Sequence, residues 1–274
     1  MTSTSVSPSS VRSHVTVTGR RSGAWSDLWA VALRAIRLAL REPEAILPAI
    51  FIPMFFFIVN VGSLQKFVEG SGAAPDFKAF QLPVSIVFAV TGVSRAASLV
   101  ADINNGYFDR LLLTPVRRLS LLLGLMAADF LVVIALSIPV VILGLVIGVH
   151  FHTGLLGALA FILLGGLWGV AFTGFPYAIA LKTGNAAAVN SSFVLFFPFA
   201  FLTTSYLPKS ALTGWFGTLA TYNPMTYLLD GLRAILIRGW EFKAVGGAVL
   251  AIVGVGTVSI GMAFAALRGR VAHK

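Results

Sequence analysis

The chain has 274 residues, is 57% hydrophobic and only 11% charged, and carries a formal net charge of +10; its mean hydropathy is +0.91. One soluble core cannot hide that much apolar surface, so lipid is the expected solvent and a water-soluble globular domain is excluded. The absence of cysteine removes disulfides, thiolate zinc sites and a cysteine nucleophile, and the basic residues flank apolar runs as membrane anchors do, which argues against a nucleic-acid partner.

Residues 1–24 are rich in Ser, Thr and Arg without an apolar run, a composition expected to remain a disordered tail; no apolar core and small-residue cleavage site follow, as a signal peptide needs. From Trp25 to Arg41 the spacing is helical. Trp25, Trp29, Leu33, Ile36 and Leu40 share one face and Arg34, Arg37 and Arg41 another, which predicts an amphipathic helix lying in the head-group plane. Pro43 then turns the chain into the bilayer.

Six apolar runs follow, over 45–64, 80–100, 119–148, 155–180, 187–207 and 245–267. Each suits the roughly 20 residues that cross a bilayer. The expected fold is therefore an all-α integral membrane protein with six transmembrane helices over 45–267 and a short tail over 268–274. Prolines 48, 53, 83, 139, 176 and 198 fall inside these runs, where neighbouring helices can satisfy the carbonyls they free. The third run exceeds a bilayer's need, so it should tilt, kink at Pro139 or protrude. With a cytoplasmic N-terminus the outer segments hold only Lys66, Lys78, Lys209, Arg233, Arg238 and Lys243 of the basic residues. The positive-inside bias thus places both termini in the cytoplasm.

Within the second run Thr91, Ser94, Arg95, Ser98 and Asp102 follow helical spacing and fall within about a 100° arc. Such a stripe should face protein or water, since charge in hydrocarbon costs roughly 2.5–3.5 kcal/mol. Asp129, the one acid deep in the third run, lies at a similar depth to Arg95. An ion pair tying two spans together and a polar vestibule for substrate both fit that placement.

The segment NNGYFDRLLLTPVRR, Asn104 to Arg118, interrupts the apolar runs with a short amphipathic helix over about 104–116. Tyr107, Phe108, Leu111 and Leu112 cover one arc; Asp109 and Arg110 face away from it. Gly106 suits a tight entry and Pro115 a stop. That face fits a groove in a cytoplasmic partner, or alternatively the membrane surface. Further on, in YNPMTYLLDGLRAIL, Asn223 can cap a helix whose first turn holds Pro224. Met225, Leu228, Leu229, Leu232, Ile235 and Leu236 then make one apolar face, Asp230 and Arg233 can pair at i,i+3, and Gly239 offers a stop.

The order Asp102, Gly106, Arg110, Leu111, Leu112, Thr114-Pro115 resembles the cytoplasmic loop of ABC type-2 permeases, closest to the daunorubicin-resistance type of bacterial exporter. YNPMTYLLDGLRAIL is similar to the segment such permeases carry before their last span. The resemblance covers nearly all of the chain after Trp25. It implies that Asp102, Gly106, Tyr107, Phe108, Arg110, Leu111, Leu112 and Pro115 form a coupling helix. That helix would engage a separate P-loop ATPase in two copies, which carries the ATP and Mg, while this chain holds no cofactor. It also implies a second permease chain as a homo- or heterodimer, a bacterial plasma membrane location, and an outer gate role for the helix with Asn223, Pro224, Asp230 and Arg233. The alternative for that helix is a cap on the bundle.

No GxxxxGK[ST] phosphate loop occurs in the sequence, and His150 and His152 at an outer turn have no carboxylates nearby, so neither catalysis nor a metal is expected. The implied activity is ATP-driven export of an amphiphilic lipid or drug-like cargo, a path rich in aromatics and poor in charge. Export of a lipid-linked polysaccharide, or a non-ABC membrane scaffold, is the alternative.

Overall fold

The computed structural model describes residues 33, 37, 43–112 and 118–272, with side chains described at 33, 37, 47–108, 110 and 121–270. The expected tail over 1–24 lies outside these residues. So does the interfacial helix over 25–41, except for Leu33 and Arg37, which are both helical, the first half-buried and the second exposed.

Among the described residues the chain is all helix and turn, without a strand. Its helices are α1 (Pro43–Gly70), α2 (Phe77–Thr91), α3 (Ala96–Asn104), α4 (Tyr107–Leu112), α5 (Arg118–Ile147) and α6 (Gly154–Thr183). They continue as α7 (Ala186–Ser191), α8 (Phe196–Phe201), α9 (Gly214–Tyr222), α10 (Pro224–Arg233) and α11 (Phe242–Ala272). Five stretches are long and apolar enough to cross a membrane: Leu47–Gly70, Phe77–Asn104, Leu121–Ile147, Gly154–Thr183 and Phe242–Arg270. The apolar run over 187–207 forms a shorter helical stretch, Ala186–Phe201, with a 3-10 turn at Ser192–Leu195 in its middle and non-helical backbone after Phe201. Arg268 and Arg270, expected in a tail, continue α11.

Helices run through Pro48, Pro53, Pro83, Pro139 and Pro176. Local chemistry sets several ends. Asp76 caps α2 by accepting from Ala79 N at 3.0 Å, and Asn185 caps α7 from Ala187 N at 2.8 Å. Gly184, at φ +60°, closes α6 in the left-handed region that favours glycine.

The second run does not form one regular helix. It breaks at Gly92–Ser94 between α2 and α3. Thr91 Oγ1 donates to Val87 O, and Ser94 Oγ accepts from Ala96 N at the start of the new helix. Side-chain bonds thus compete with the helical ladder on both sides of the break.

Two clusters make up most of the core among the described residues. The larger gathers Phe57, Leu82, Ile86, Trp168, Phe172 and Phe196 with the apolar face of α10. The smaller packs Leu99, Ile103, Phe108, Leu122, Tyr177 and Leu267 around the α3–α4 hairpin. Helices α6 and α11 touch backbone to backbone: a Cβ on Gly174 would collide with Ser259 and Ile260, and Ser259 Oγ donates to Ala171 O. Small residues let helices approach this way where lipid offers no hydrophobic drive. The outward surface of α1, by contrast, carries Phe51, Phe55, Phe56 and Phe67.

The bundle has two distinguishable ends. At the hairpin end Arg270 Nη1 donates to Leu181 O at 3.2 Å. At the distal end Lys78 Nζ reaches Ile147 O at 3.2 Å, and Thr153 Oγ1 reaches Ile235 O at 2.8 Å.

Candidate functional site

At the hairpin end α3 reverses into α4 through Asn105 and Gly106. Gly106 has φ +69°, a conformation that a side chain would strain. Tyr107 is 38% exposed but Phe108 only 4%. This corrects the expected docking face. Phe108 points back into the bundle against Leu99, Leu122, Leu181 and Leu267, because the two-residue turn folds the short helix onto the span it leaves. A helical wheel cannot tell which way an apolar arc faces. Tyr107 and Arg110 remain on the outside, and Asp102 is half-buried. The side chains of Leu111 and Leu112, and all of Pro115, lie outside the described residues.

Deeper in the bundle, Arg95 Nε stands 3.6 Å from Asp129 Oδ1, and Tyr177 OH donates to Asp129 Oδ2 at 2.7 Å. Asp129 and Tyr177 are fully buried, and Arg95 is 9% exposed. The Arg95–Asp129 contact is Coulombic, since neither Arg95 Nε nor Asp129 Oδ1 has a hydrogen-bond partner among the described residues. The three side chains join the start of α3 to α5 and α6. Removing one partner of such a buried set leaves a charge that water no longer reaches.

The expected polar stripe divides. Thr91 accepts from Trp168 Nε1 at 3.2 Å and belongs to a separate α2–α6 contact. Ser94 starts α3, and Ser98 is half-buried. The break at Gly92–Ser94 takes these residues off one helical face. Sequence spacing gives no sign of Tyr177 or Trp168 as partners, although Tyr177 is the one tyrosine inside the five long apolar stretches.

At the distal end Asn223 Oδ1 accepts from Met225 N at 2.9 Å with Pro224 in the first turn of α10. Asn223 Nδ2 donates to Phe199 O and Leu202 O at 2.9 and 2.7 Å, tying α10 to the end of α8. The face from Met225 to Leu236 is buried in the larger core cluster. The expected Asp230–Arg233 pairing is replaced. Asp230 binds Arg238 at 2.8 Å, and Arg238 also holds Glu241 at 2.6 Å. A π-helical turn over Ala234–Arg238 brings Arg238 back to Asp230.

Arg233 turns inward, 5% exposed. It donates from Nε to Phe80 O at 3.1 Å, from Nη1 to Thr204 Oγ1 at 3.1 Å and from Nη2 to Thr204 O at 2.7 Å. Its guanidinium carbon lies 3.5 Å from the Phe80 ring centroid. Burial lowers its pKa to about 9, opposed by the Asp230 charge, so it is still a cation at neutral pH. Beside it opens a cavity of about 450 Å³ whose charged lining is Asp76, Lys209, Asp230, Arg233 and Arg238.

Among the described residues no three His, Cys, Asp or Glu side chains come together as metal ligands would. The arrangement holds a surface hairpin at one end, a buried charged latch behind it and an apolar cavity with a buried cation at the other. Residues 26–237 match the family of ABC-2 type transporters. The chain is also similar to proteins of two Mycobacterium tuberculosis strains named "Probable doxorubicin resistance ABC transporter permease protein DrrC". Each is 23% identical over 203 residues, covering 73% of this chain and 72% of the relative.

Proposed function

The chain belongs to the ABC-2 type transporter family as an integral membrane permease, and from that premise we propose that it is the transmembrane subunit of an ATP-driven exporter of an amphiphilic, drug-like or lipid cargo. ATP is hydrolysed on two copies of a separate P-loop subunit, and a second permease chain completes the path. The name of its relatives, which refers to doxorubicin resistance, supports a drug-like cargo over a polysaccharide.

The proposed topology has six passes in a bacterial plasma membrane, with the hairpin end and both termini cytoplasmic. Support comes from the course of the short helical stretch. Asn185 caps it next to Gly184, at the end where Arg270 meets Leu181, while Thr204 meets Arg233 and Phe80 at the other. Sixteen helical residues reach about 24 Å, and the non-helical backbone after Phe201 adds the rest.

The observation that carries the coupling role is the α3–α4 hairpin. It is anchored by Phe108 and linked through Arg95, one residue before α3, to Asp129 on α5 and Tyr177 on α6. A push on Tyr107 and Arg110 is therefore delivered to a buried contact among three helices. ATP-driven closure biases the bundle only if the nucleotide-bound subunits favour one of its two states.

The test is co-expression with the partner P-loop ATPase. Tyr107→Asp and Arg110→Glu are expected to abolish co-purification and cargo-stimulated ATP hydrolysis, with the thermal midpoint of the permease unchanged. Intact binding and coupling in both variants would remove the hairpin from the interface.

A further inference from the structure

The distal cavity has no part in ATPase coupling, yet its wall is unusual. Arg233 is a buried cation with no carboxylate within 4 Å among the described residues, and Lys209 on the rim likewise has none. The distal carboxylates are engaged elsewhere. Glu69 accepts from Gln65 and Phe77 N, Asp76 caps α2, and Asp230 and Glu241 share Arg238. Three of the five N–H groups of Arg233 are used, on Phe80 O and the two Thr204 oxygens. Asp230, itself bound to Arg238, acts on the remaining charge from beyond ion-pair distance.

Asp76, Asp230, Arg238, Thr204 and Thr226 also line the cavity, and the apolar part of the wall is Ala74, Pro75, Phe80, Pro208, Tyr227 and Ile237. Its volume of about 450 Å³ falls in the range of small-molecule sites. Partly or fully exposed Tyr227, Trp240 and Phe242 stand at the same end, and such aromatics gather at the level of lipid head groups. A largely apolar wall, two cations without a direct ion pair among the described residues and a head-group setting call for one chemistry.

The geometry points to this cavity as a binding site for an anionic phospholipid of the distal leaflet, with its phosphate on Arg233 and Lys209 and its glycerol backbone against the apolar wall. Zwitterionic lipid is the weaker ligand, because its own cation competes with Lys209 and Arg238 for the phosphate. Inorganic phosphate offers the charge without the apolar part and loses the contact with Pro75, Phe80 and Ile237.

Native mass spectrometry of the full chain in mild detergent tests this, with phosphatidylglycerol, phosphatidylcholine of the same acyl chains, or inorganic phosphate as probe. The first phosphatidylglycerol is expected to bind about tenfold tighter than phosphatidylcholine, the scale of one added charge-assisted contact. Lys209→Glu reverses the rim charge on an exposed side chain, and Ile237→Trp fills the cavity while leaving Arg233 in place. Each is expected to bring phosphatidylglycerol down to the phosphatidylcholine level, with phosphatidylcholine binding unchanged. A preference that survives both variants would place the lipid elsewhere, such as beside Lys182 and Arg270 at the hairpin end, and overturn the site. Displacement of the lipid by equimolar inorganic phosphate would make the ligand a soluble anion and overturn the lipid assignment.

Discussion

Two buried arginines stand at opposite ends of this bundle and are held in opposite ways. Arg95 faces a carboxylate, Asp129, at 3.6 Å without a hydrogen bond between them. Arg233 makes three hydrogen bonds to uncharged oxygens and stacks on Phe80, with no carboxylate in range among the described residues. The first is held by Coulomb attraction without a directional bond between the two side chains, which tolerates displacement. The second is held by short directional bonds, which do not. A subunit that must rock at one end and keep its shape at the other can use that difference.

The largest effect is expected from removing the carboxylate. Asp129→Ala leaves Arg95 charged and Tyr177 OH without its acceptor, and loss of one partner in a buried pair costs about 3–5 kcal/mol. Thermal unfolding in detergent should show a large drop for Asp129→Ala. Arg95→Ala should also destabilise, and the double variant should lose less than the sum of the two. Strict additivity would mean that the latch does not operate.

Swapping the cation separates the two ends further. A lysine can replace a point charge but not the planar fork of a guanidinium. Arg95→Lys should therefore keep most of the stability at the hairpin end. Arg233→Lys should lose at least two of its three bonds, at roughly 1.5–3 kcal/mol for each bond to a charged group. The same denaturation measurement decides, and equal losses at the two sites would erase the distinction.

The two ends also differ in how far residues alone disclosed them. The long helices were legible because 20-residue apolar runs have one solution in lipid. The start of α10 was legible because Asn223 and Pro224 carry their capping chemistry locally. The partners of Arg233 were not, since Phe80 lies 153 residues away and both accepting backbone groups are carbonyls that every residue possesses. Spacing puts Phe108 on the apolar arc of α4 but gives that arc no direction; only the packing of Leu122, Leu181 and Leu267 sets it. The break at Gly92–Ser94 hid in a run whose hydrophobicity is continuous. What escaped was the set of facts fixed by tertiary packing.

The smallest effect separates the surface chemistry of α10 from its buried side. Helical spacing favours an Asp230–Arg233 pair, whereas the structure gives Asp230 to Arg238 at 2.8 Å, with the two side chains 53% and 43% exposed. An exposed pair of this kind contributes only about 0–1 kcal/mol, so Asp230→Ala should scarcely move the unfolding midpoint in moderate salt. Its coupling is the informative quantity. Asp230→Ala and Arg238→Ala should fall short of additivity by a few tenths of a kcal/mol, a deficit that shrinks as ionic strength rises. Asp230→Ala combined with Arg233→Lys should be additive, because Arg233 bonds to Phe80 and Thr204 whether or not Asp230 is charged. If the second cycle couples and the first does not, Arg233 faces Asp230 in the membrane, and the buried cation at the distal end has its counter-ion after all.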